Sequence, residues 1–201
     1  MQLPGLDKDG GKVMQEQEIF ARLMQTGALL EGHFLLRSGL HSNRYFQAAL
    51  ALQYTDIATE LCSALAQKYR GRQIDTVISP AVGGIVVGQE TGRALGVRAI
   101  FAEKDEKDEL ILRRGFKLSP GERVLVAEDV ITRGGRVQQT VELARQHKAQ
   151  VEGVAVLVDR SKGQIPLDVE VKSLLQLQLD TYQPDECPLC RQGMPLVKPG
   201  S

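Results

Sequence analysis

The sequence has few cysteines, no long apolar run and no excess of either charge. Its three cysteines, Cys62, Cys187 and Cys190, are too few for a disulfide framework, which favours a reducing compartment. No apolar run approaches the ~20 residues of a transmembrane helix, and the N-terminal MQLPGLDKDGGKVMQ has no apolar signal core. With 25 basic and 25 acidic residues, no global basic field is available for nucleic acid or a membrane surface. These absences predict a cytoplasmic protein without nucleic-acid or membrane partners.

What the sequence contains is sufficient for one globular domain with an ordinary core. Of its 201 residues, 42% are hydrophobic, and the length favours a single domain. Residues 1–12 are rich in Gly and Asp, and this composition predicts a loose tail. From residue 75 onward, strand patterns alternate with helical ones, which predicts an α/β fold with a mainly parallel sheet flanked by helices. Ligands of such sheets bind beyond the carboxyl ends of the strands.

The most informative segment is residues 124–145, VLVAEDVITRGGRVQQTVELAR. An apolar run ends in two adjacent carboxylates, Glu128 and Asp129, and a Gly-Gly turn then leads into an amphipathic helical pattern. The N–H groups at a helix N-terminus suit a phosphate, and paired carboxylates suit sugar hydroxyls or a magnesium ion. An ordinary strand-to-helix connection would explain one acid, but not the pair, the glycines and the two arginines. The segment is neither a Walker A loop nor GxGxxG.

This segment resembles the phosphoribosyl-pyrophosphate motif of type I phosphoribosyltransferases. The resemblance implies that Glu128 and Asp129 hold the ribose 2- and 3-hydroxyls and that the loop behind them binds the diphosphate sugar, with residues 132–136 around the 5-phosphate. The loop residues so implied are Val130, Ile131, Thr132, Arg133, Gly134, Gly135 and Arg136.

The wider chain narrows the resemblance to the orotate phosphoribosyltransferase family. HFLLRSGLHSNRYF (residues 33–46) looks like the N-terminal signature of that family, and Asp159-Arg160 matches a pair whose arginine contacts orotate. The ending CPLCRQGMPLVKPGS resembles one bacterial subgroup. The resemblance implies a core at residues 55–164, with a small hood from 13–54 and 165–201. It also implies an orotate site formed by Thr132, Arg160, Arg37, Tyr45 and Phe46.

The orotate carboxylate gives these assignments a physical reason. An arginine offers a planar, bidentate fork to a carboxylate, so Arg160 suits this ligand, and Arg37 can add a second positive charge. The alternative for Arg160 is a surface pair with Asp159. For Tyr45 and Phe46, alternating core and hood packing is as good an interpretation as walls of the base site.

The diphosphate side departs from the family pattern in two places. The SPAVGGI turn, residues 79–85, resembles the pyrophosphate loop, but many members have an aromatic residue and a lysine where this chain has Val82 and Gly83. We therefore expect backbone contacts from Val82, Gly83 and Gly84, with a bare helix N-cap turn as the alternative.

The second departure follows Phe101, in AEKDEKDELILRRGF, which we interpret as a mobile hairpin or loop. Lys104 and Lys107 keep the family's lysine positions, whereas glutamates replace its arginine and histidine at 103 and 109. Two glutamates would repel a diphosphate. We expect Lys104 and Arg114 to supply positive charge, and a solvated loop is the alternative for Lys107 and Glu109.

The remaining metal-binding residue types show no strong pattern. Cys187-x-x-Cys190 could be half of a zinc site, but with no second pair and no histidine nearby in sequence it favours a structural turn. His33, His41 and His147 have no ligand spacing, and Cys62 is predicted to lie in the core.

The resemblance implies one reaction: orotate and 5-phosphoribosyl 1-diphosphate give orotidine 5-phosphate and diphosphate. It implies Glu128, Asp129 and Lys104 as catalytic residues, Mg²⁺ bound mainly through the diphosphate sugar, and a homodimer. Two alternatives stay open. One is a phosphoribosyltransferase for another base such as a purine, and the other is a non-catalytic regulator that senses the diphosphate sugar.

Overall fold

The structure, a computed structural model, describes residues 14–36, 38–161, 163 and 165–199. In the described part of the chain the helices are α1 Glu16–Gln25, α2 Ala49–Leu52, α3 Thr55–Gln67, α4 Gly84–Leu95, α5 Gly135–Gln146 and α6 Pro188–Arg191. The strands there are β1 Leu29–Leu35, β2 His41–Phe46, β3 Thr76–Pro80, β4 Arg98–Lys104, β5 Leu110–Leu112, β6 Arg123–Ile131, β7 Gln150–Asp159, β8 Val171–Gln176 and β9 Thr181–Tyr182. The predicted tail, residues 1–12, lies outside the described residues.

A six-stranded sheet in the order β5-β4-β3-β6-β7-β8 forms the centre of the molecule. All its neighbouring pairs are parallel except β4 with β5, which confirms the predicted mainly parallel sheet. The chain runs outward from β3 to β4 and then restarts on the other side of β3 with β6. The loops after β3 and β6 therefore diverge at a topological switch point, where α/β sheets bind their ligands.

Apolar side chains fill both faces of this sheet, as the alternation along β6 shows. Leu125 and Ala127 belong to one buried cluster, with α1, α3 and α4, whereas Val124 and Val126 belong to the opposite cluster, with α5. Successive strand residues point to opposite faces, so a continuous apolar run is what a doubly covered strand requires. The strand is thus held rigidly up to its C-terminal acids.

A second, three-stranded sheet, β1-β2-β9, forms the hood. It combines the N-terminal hairpin with β9 of the C-terminal segment. The predicted boundary at residue 165 lies too early, because β8 pairs in parallel with β7 and extends the main sheet. In the described residues no helix has the length and apolar character to cross a membrane.

Candidate active site

The two acidic residues lie at the end of β6 in different environments. Glu128 is buried, only 6% exposed, and its Oε1 accepts a hydrogen bond from the Asp129 amide at 3.1 Å. Asp129 is half-buried, and its Oδ1 accepts from the Val130 amide at 2.7 Å. Burial, followed by the negative charge of Asp129, raises the pKa of Glu128 to about 9. This direction favours the protonated form of Glu128, which can donate a hydrogen bond, beside a carboxylate that can only accept.

The raised pKa predicts a stability gain for Glu128→Gln. The ordinary pKa of this carboxyl is 4.5, and its pKa in the folded protein is about 9. Between these two pH values Glu128 stays protonated in the folded protein and ionises in the unfolded chain. Its contribution to stability is therefore lost as pH rises. Glutamine mimics the protonated form and should raise the free energy of unfolding by about 3 kcal/mol at pH 7. The gain should disappear near pH 4.5. Urea unfolding at several pH values measures it, and a gain independent of pH would contradict the assignment.

The turn after β3 packs directly on these acids because it has no side chains at two positions. A Cβ placed on Gly83 would lie 2.8 Å from Asp129 Oδ2, and one on Gly84 would lie 2.8 Å from Glu128 Oε1. Both distances are shorter than real Cβ contacts. Gly83, at the position where many family members have a lysine, and Gly84 thus allow close contact between the two loops.

Gly83→Ala is expected to lower activity by roughly 10- to 100-fold, because the added methyl must displace the Asp129 carboxylate and small misplacements of reacting groups are costly. Steady-state kinetics at saturating orotate, with the diphosphate sugar varied, measures the effect. Gln89→Ala, on an exposed position of the helix that follows, is the matched control. Unchanged kinetics in Gly83→Ala would show that Asp129 has room to move.

The loop between β6 and α5 forms a cradle below the acids. Gly134 is the N-cap of α5 and has φ +79°, and a Cβ there would lie 3.0 Å from Ile165 Cγ2, so both conformation and space require glycine. A cavity of about 500 Å³ lies over this helix N-terminus. Its lining is Gly83, Glu128, Asp129, Val130, Ile131, Thr132, Gly134, Gly135, Arg136 and Val137. Apart from Arg133, which is exposed and does not line it, the predicted loop residues are brought together here.

An adjoining cavity of about 440 Å³ lies on the predicted diphosphate side. Its lining is Ala81, Val82, Gly83, Glu103, Lys104 and Arg136. Arg136 and Gly83 line both cavities. The Arg136 guanidinium donates to the Ala81 carbonyl at 3.0 Å, which ties the phosphate loop to the β3 turn. Sequence reasoning missed Ala81, since a backbone carbonyl leaves no residue-type signal.

The segment after β4 is a hairpin, as predicted, and its charges are largely paired internally. The Arg114 guanidinium donates to both carboxylate oxygens of Glu103, at 2.8 and 2.9 Å, and its hydrogen bonds lower the pKa of Glu103. Arg114 lines neither cavity and pairs with Glu103, whose charge it neutralises; a contact between Arg114 and the diphosphate stays a prediction. Lys104 lines the second cavity and pairs with Asp108. Lys107 and Glu109 are exposed, in keeping with a solvated loop.

Arg160 has the position expected of an anion-binding residue. Its amide donates to the Ile131 carbonyl at 2.8 Å, which places it beside the first cavity. Burial lowers its pKa, which the nearby Tyr45 partly offsets. Its Nε is buried and finds no hydrogen-bond partner among the described residues. Asp159, the alternative partner, instead accepts from the Ser161 amide at 2.8 Å. A half-buried arginine whose buried Nε is an unused donor is typical of a site that receives an anion.

The two aromatic side chains of the predicted base site point to opposite faces of β2, as those of successive strand residues do. Tyr45 is half-buried beside Phe34, with ring centroids 5.8 Å apart. Phe46 is 5% exposed and packs in the apolar cluster under the hood. Phe46 is therefore a core residue, and its assignment as a wall of the base site is corrected. Arg37 lies outside the described residues.

The structure brings together two histidines that show no ligand spacing in the sequence and the CxxC pair that we expected to form a structural turn. His33, His41, Cys187 and Cys190 lie together in the hood, with one potential ligand atom from each within 4.8 Å of the others. The two histidines flank the turn of one predicted hairpin, and the CxxC tail was predicted to join the same hood. Their common placement in the hood was the only sign in the sequence that the histidines and the cysteines lie close together.

Comparison with known proteins agrees with this geometry. The family described as "Phosphoribosyl transferase domain" matches residues 51–189. The chain is 53% identical over 188 residues to "Orotate phosphoribosyltransferase" of Pelotomaculum thermopropionicum, covering 94% of this chain and 98% of that protein. It is 54% identical over 176 residues to the protein of the same name from Chlorobium phaeobacteroides strain BS1, covering 88% of this chain and 91% of that protein.

Solved structures show the same fold. The crystal structure of orotate phosphoribosyltransferase from Aeropyrum pernix superposes with a TM-score of 0.64 at 26% identity, covering 77% of this chain and 91% of that one. An adenine phosphoribosyltransferase from Thermoanaerobacter pseudethanolicus superposes at 0.59 with 18% identity, over 67% of this chain and 88% of that one, and shows the fold alone. With the family match over residues 51–189 and near full-length relatives at 53% identity, this chain belongs to the phosphoribosyltransferase family and groups with its orotate phosphoribosyltransferases.

Proposed function

We propose that this protein transfers ribose 5-phosphate from 5-phosphoribosyl 1-diphosphate to orotate, giving orotidine 5-phosphate and diphosphate. The observation that carries the choice of base is the buried, unpartnered Nε of Arg160 beside the phosphate cradle. A purine brings no carboxylate to this donor, so the alternative of a purine enzyme is less consistent with the site. A sensor of the diphosphate sugar would not need a charged base pocket.

The site residues divide the work of this transfer. The cradle at the α5 N-terminus suits the 5-phosphate, while Asp129 and the neutral Glu128 suit the ribose hydroxyls as acceptor and donor. As the ring nitrogen of orotate bonds to C1 and the C1–oxygen bond to diphosphate breaks, positive charge develops on the ribose. The negative charge of Asp129 stabilises that charge, and Lys104 and Arg136 face the departing diphosphate.

Mg²⁺ is the proposed cofactor, bound mainly through the diphosphate sugar. Asp129 lines the first cavity, and the hard oxygen ligands of its carboxylate fit a magnesium ion that keeps part of its shell for phosphate and water. When bound, the ion supplies neutralisation of the diphosphate charge. Loss of activity in a chelator, restored by Mg²⁺, tests the proposal.

We further propose a homodimer in the cytoplasm, without nucleic-acid or membrane partners. The family resemblance supports the dimer, and light scattering after gel filtration measures it. The low number of cysteines supports a reducing compartment.

The activity is tested directly by the loss of orotate ultraviolet absorbance on addition of the diphosphate sugar and Mg²⁺. A panel of orotate, uracil, adenine, guanine and hypoxanthine separates the alternatives. If orotate is the only base of the panel that is consumed, the result supports the proposal. Turnover of a purine would instead show a purine phosphoribosyltransferase. Binding of the sugar diphosphate without turnover of any base would indicate the regulator.

A further inference from the structure

The C-terminal segment runs along both edges of the hood hairpin. On one edge β9 pairs with β2, with Thr181 opposite Ser42. On the other edge Val197 exchanges backbone hydrogen bonds with His33 and Leu35, both 2.8 Å long. Between these two attachments the chain turns through the short helix α6, with Cys187 at its N-cap and Cys190 in its last turn. The turn brings both thiols against the hairpin.

Two histidines of the hairpin meet these thiols. His33 Nε2 lies 3.0 Å from His41 Nδ1, and Cys190 Sγ lies 3.3 Å from His41 Nδ1. From His33 Nε2, Cys187 Sγ is 3.5 Å away and Cys190 Sγ is 3.7 Å away. His33, His41 and Cys187 are buried, and Cys190 is exposed. Four soft or borderline ligand atoms thus converge from three separate parts of the chain.

The spacing of these atoms agrees with a tetrahedral metal site. Zinc binds thiolate at ~2.3 Å and imidazole at ~2.0 Å, so the edges of the tetrahedron are about 3.3 Å between nitrogens and about 3.6 Å between nitrogen and sulfur. The corresponding distances here are 3.0 Å and 3.3 to 3.7 Å. Only small movements would place all four atoms around one ion.

The surroundings of His33 also suit a metal ligand. Its Nδ1 lies 2.9 Å from the Met194 carbonyl, so this nitrogen carries the proton and donates, which leaves the Nε2 lone pair directed at the cluster. Two thiolates and two neutral imidazoles around a divalent ion give a site with no net charge. Such a site can be buried at low cost, whereas the four groups without an ion have few ways to satisfy each other.

We propose that His33 Nε2, His41 Nδ1, Cys187 Sγ and Cys190 Sγ bind one Zn²⁺, which joins the C-terminal segment to the hood hairpin. Binding displaces the two thiol protons to solvent, and no oxidant or reductant is required. Four protein ligands leave no open position for a substrate, so the ion is structural. The hairpin it holds carries Tyr45 beside Arg160, so the ion acts on catalysis by positioning the hood.

Metal analysis of the full-length chain, produced without a polyhistidine tag and kept reduced, tests the proposal. We expect about one Zn²⁺ per chain by mass spectrometry of the element, or after addition of ZnCl₂ to the reduced, metal-free protein. Cys190→Ser should lose the zinc, and it changes the one exposed ligand, so its fold should tolerate the change. Cys62→Ala and His147→Ala remove a cysteine and a histidine outside the cluster and should keep it.

Replacement of zinc by Co²⁺ supplies a second measurement that does not depend on a variant. The reduced protein should develop the intense visible absorption of tetrahedral Co²⁺ with thiolate charge transfer, and Zn²⁺ should abolish it. Zinc removal should lower the Tm by at least about 5 °C, and its return should restore the Tm. Absence of stoichiometric Zn²⁺ before and after ZnCl₂ addition, or equal zinc content in Cys190→Ser, would overturn the proposal. A Cys187–Cys190 disulfide in protein purified under reducing conditions would also do so. None of these measurements depends on the transferase activity.

Discussion

Replacement of Asp129 by asparagine is expected to lower kcat/KM for the diphosphate sugar by roughly 100- to 1,000-fold, as when one preorganised transition-state contact is lost. Asp129 borders the larger cavity, and its carboxylate is fixed by the Val130 amide at 2.7 Å. Asparagine cannot supply the negative charge that stabilises the cationic ribose. Its amide nitrogen would also conflict with the Val130 N–H if it took the position of Oδ1.

Glu128→Gln should cost less than about tenfold, although the two acids are adjacent in sequence. Burial and the Asp129 charge raise the pKa of Glu128, which favours its neutral form at the working pH. Glutamine keeps a neutral side chain of the same shape that can still donate a hydrogen bond. Steady-state kinetics at pH 7 on both variants gives the comparison, and Asp168→Asn, at an exposed ion pair, is the control. Equal losses at 128 and 129 would contradict the division of roles, as would an unchanged Asp129→Asn.

The secure part of the site could be predicted because it is local in sequence. Residues 128–136 contain a strand end, a glycine turn and a helix start in one continuous run, so residue types and spacing determine the cradle without long-range information. The same holds for the parallel sheet, whose strands are apolar runs between helical patterns. The topological switch point then follows from strand order.

What could not be predicted depends on partners distant in sequence. Arg114 and Glu103 are both charged residues of one loop, and only their pairing shows that one neutralises the other. The core position of Phe46 follows from the register of β2, which a pair of aromatic letters leaves open. Cys187 and His33 are 154 residues apart, and the hood topology alone brings them together.

Arg160→Ala is expected to lower kcat/KM for orotate by roughly 1,000-fold, as expected when one partner of a buried charge pair is lost. The KM for the diphosphate sugar should change by less than about threefold, because that ligand is bound by the β6–α5 loop. Arg160→Lys keeps the charge but not the planar fork. Its kcat/KM for orotate should therefore lie between those of the wild type and Arg160→Ala. Arg145→Ala, at the surface pair with Asp168, is the matched control.

The reason to expect so large an effect lies in the state of the guanidinium. Most buried polar groups of a folded protein are hydrogen-bonded, and an unused buried donor is costly. The Nε of Arg160 is such an unused donor, and the burial of Arg160 also disfavours its positive charge. A carboxylate from the ligand removes both penalties at once, so binding of orotate should raise the Tm of the wild type but not of Arg160→Ala. If orotate stabilised both proteins equally, its carboxylate would have to bind elsewhere in the hood.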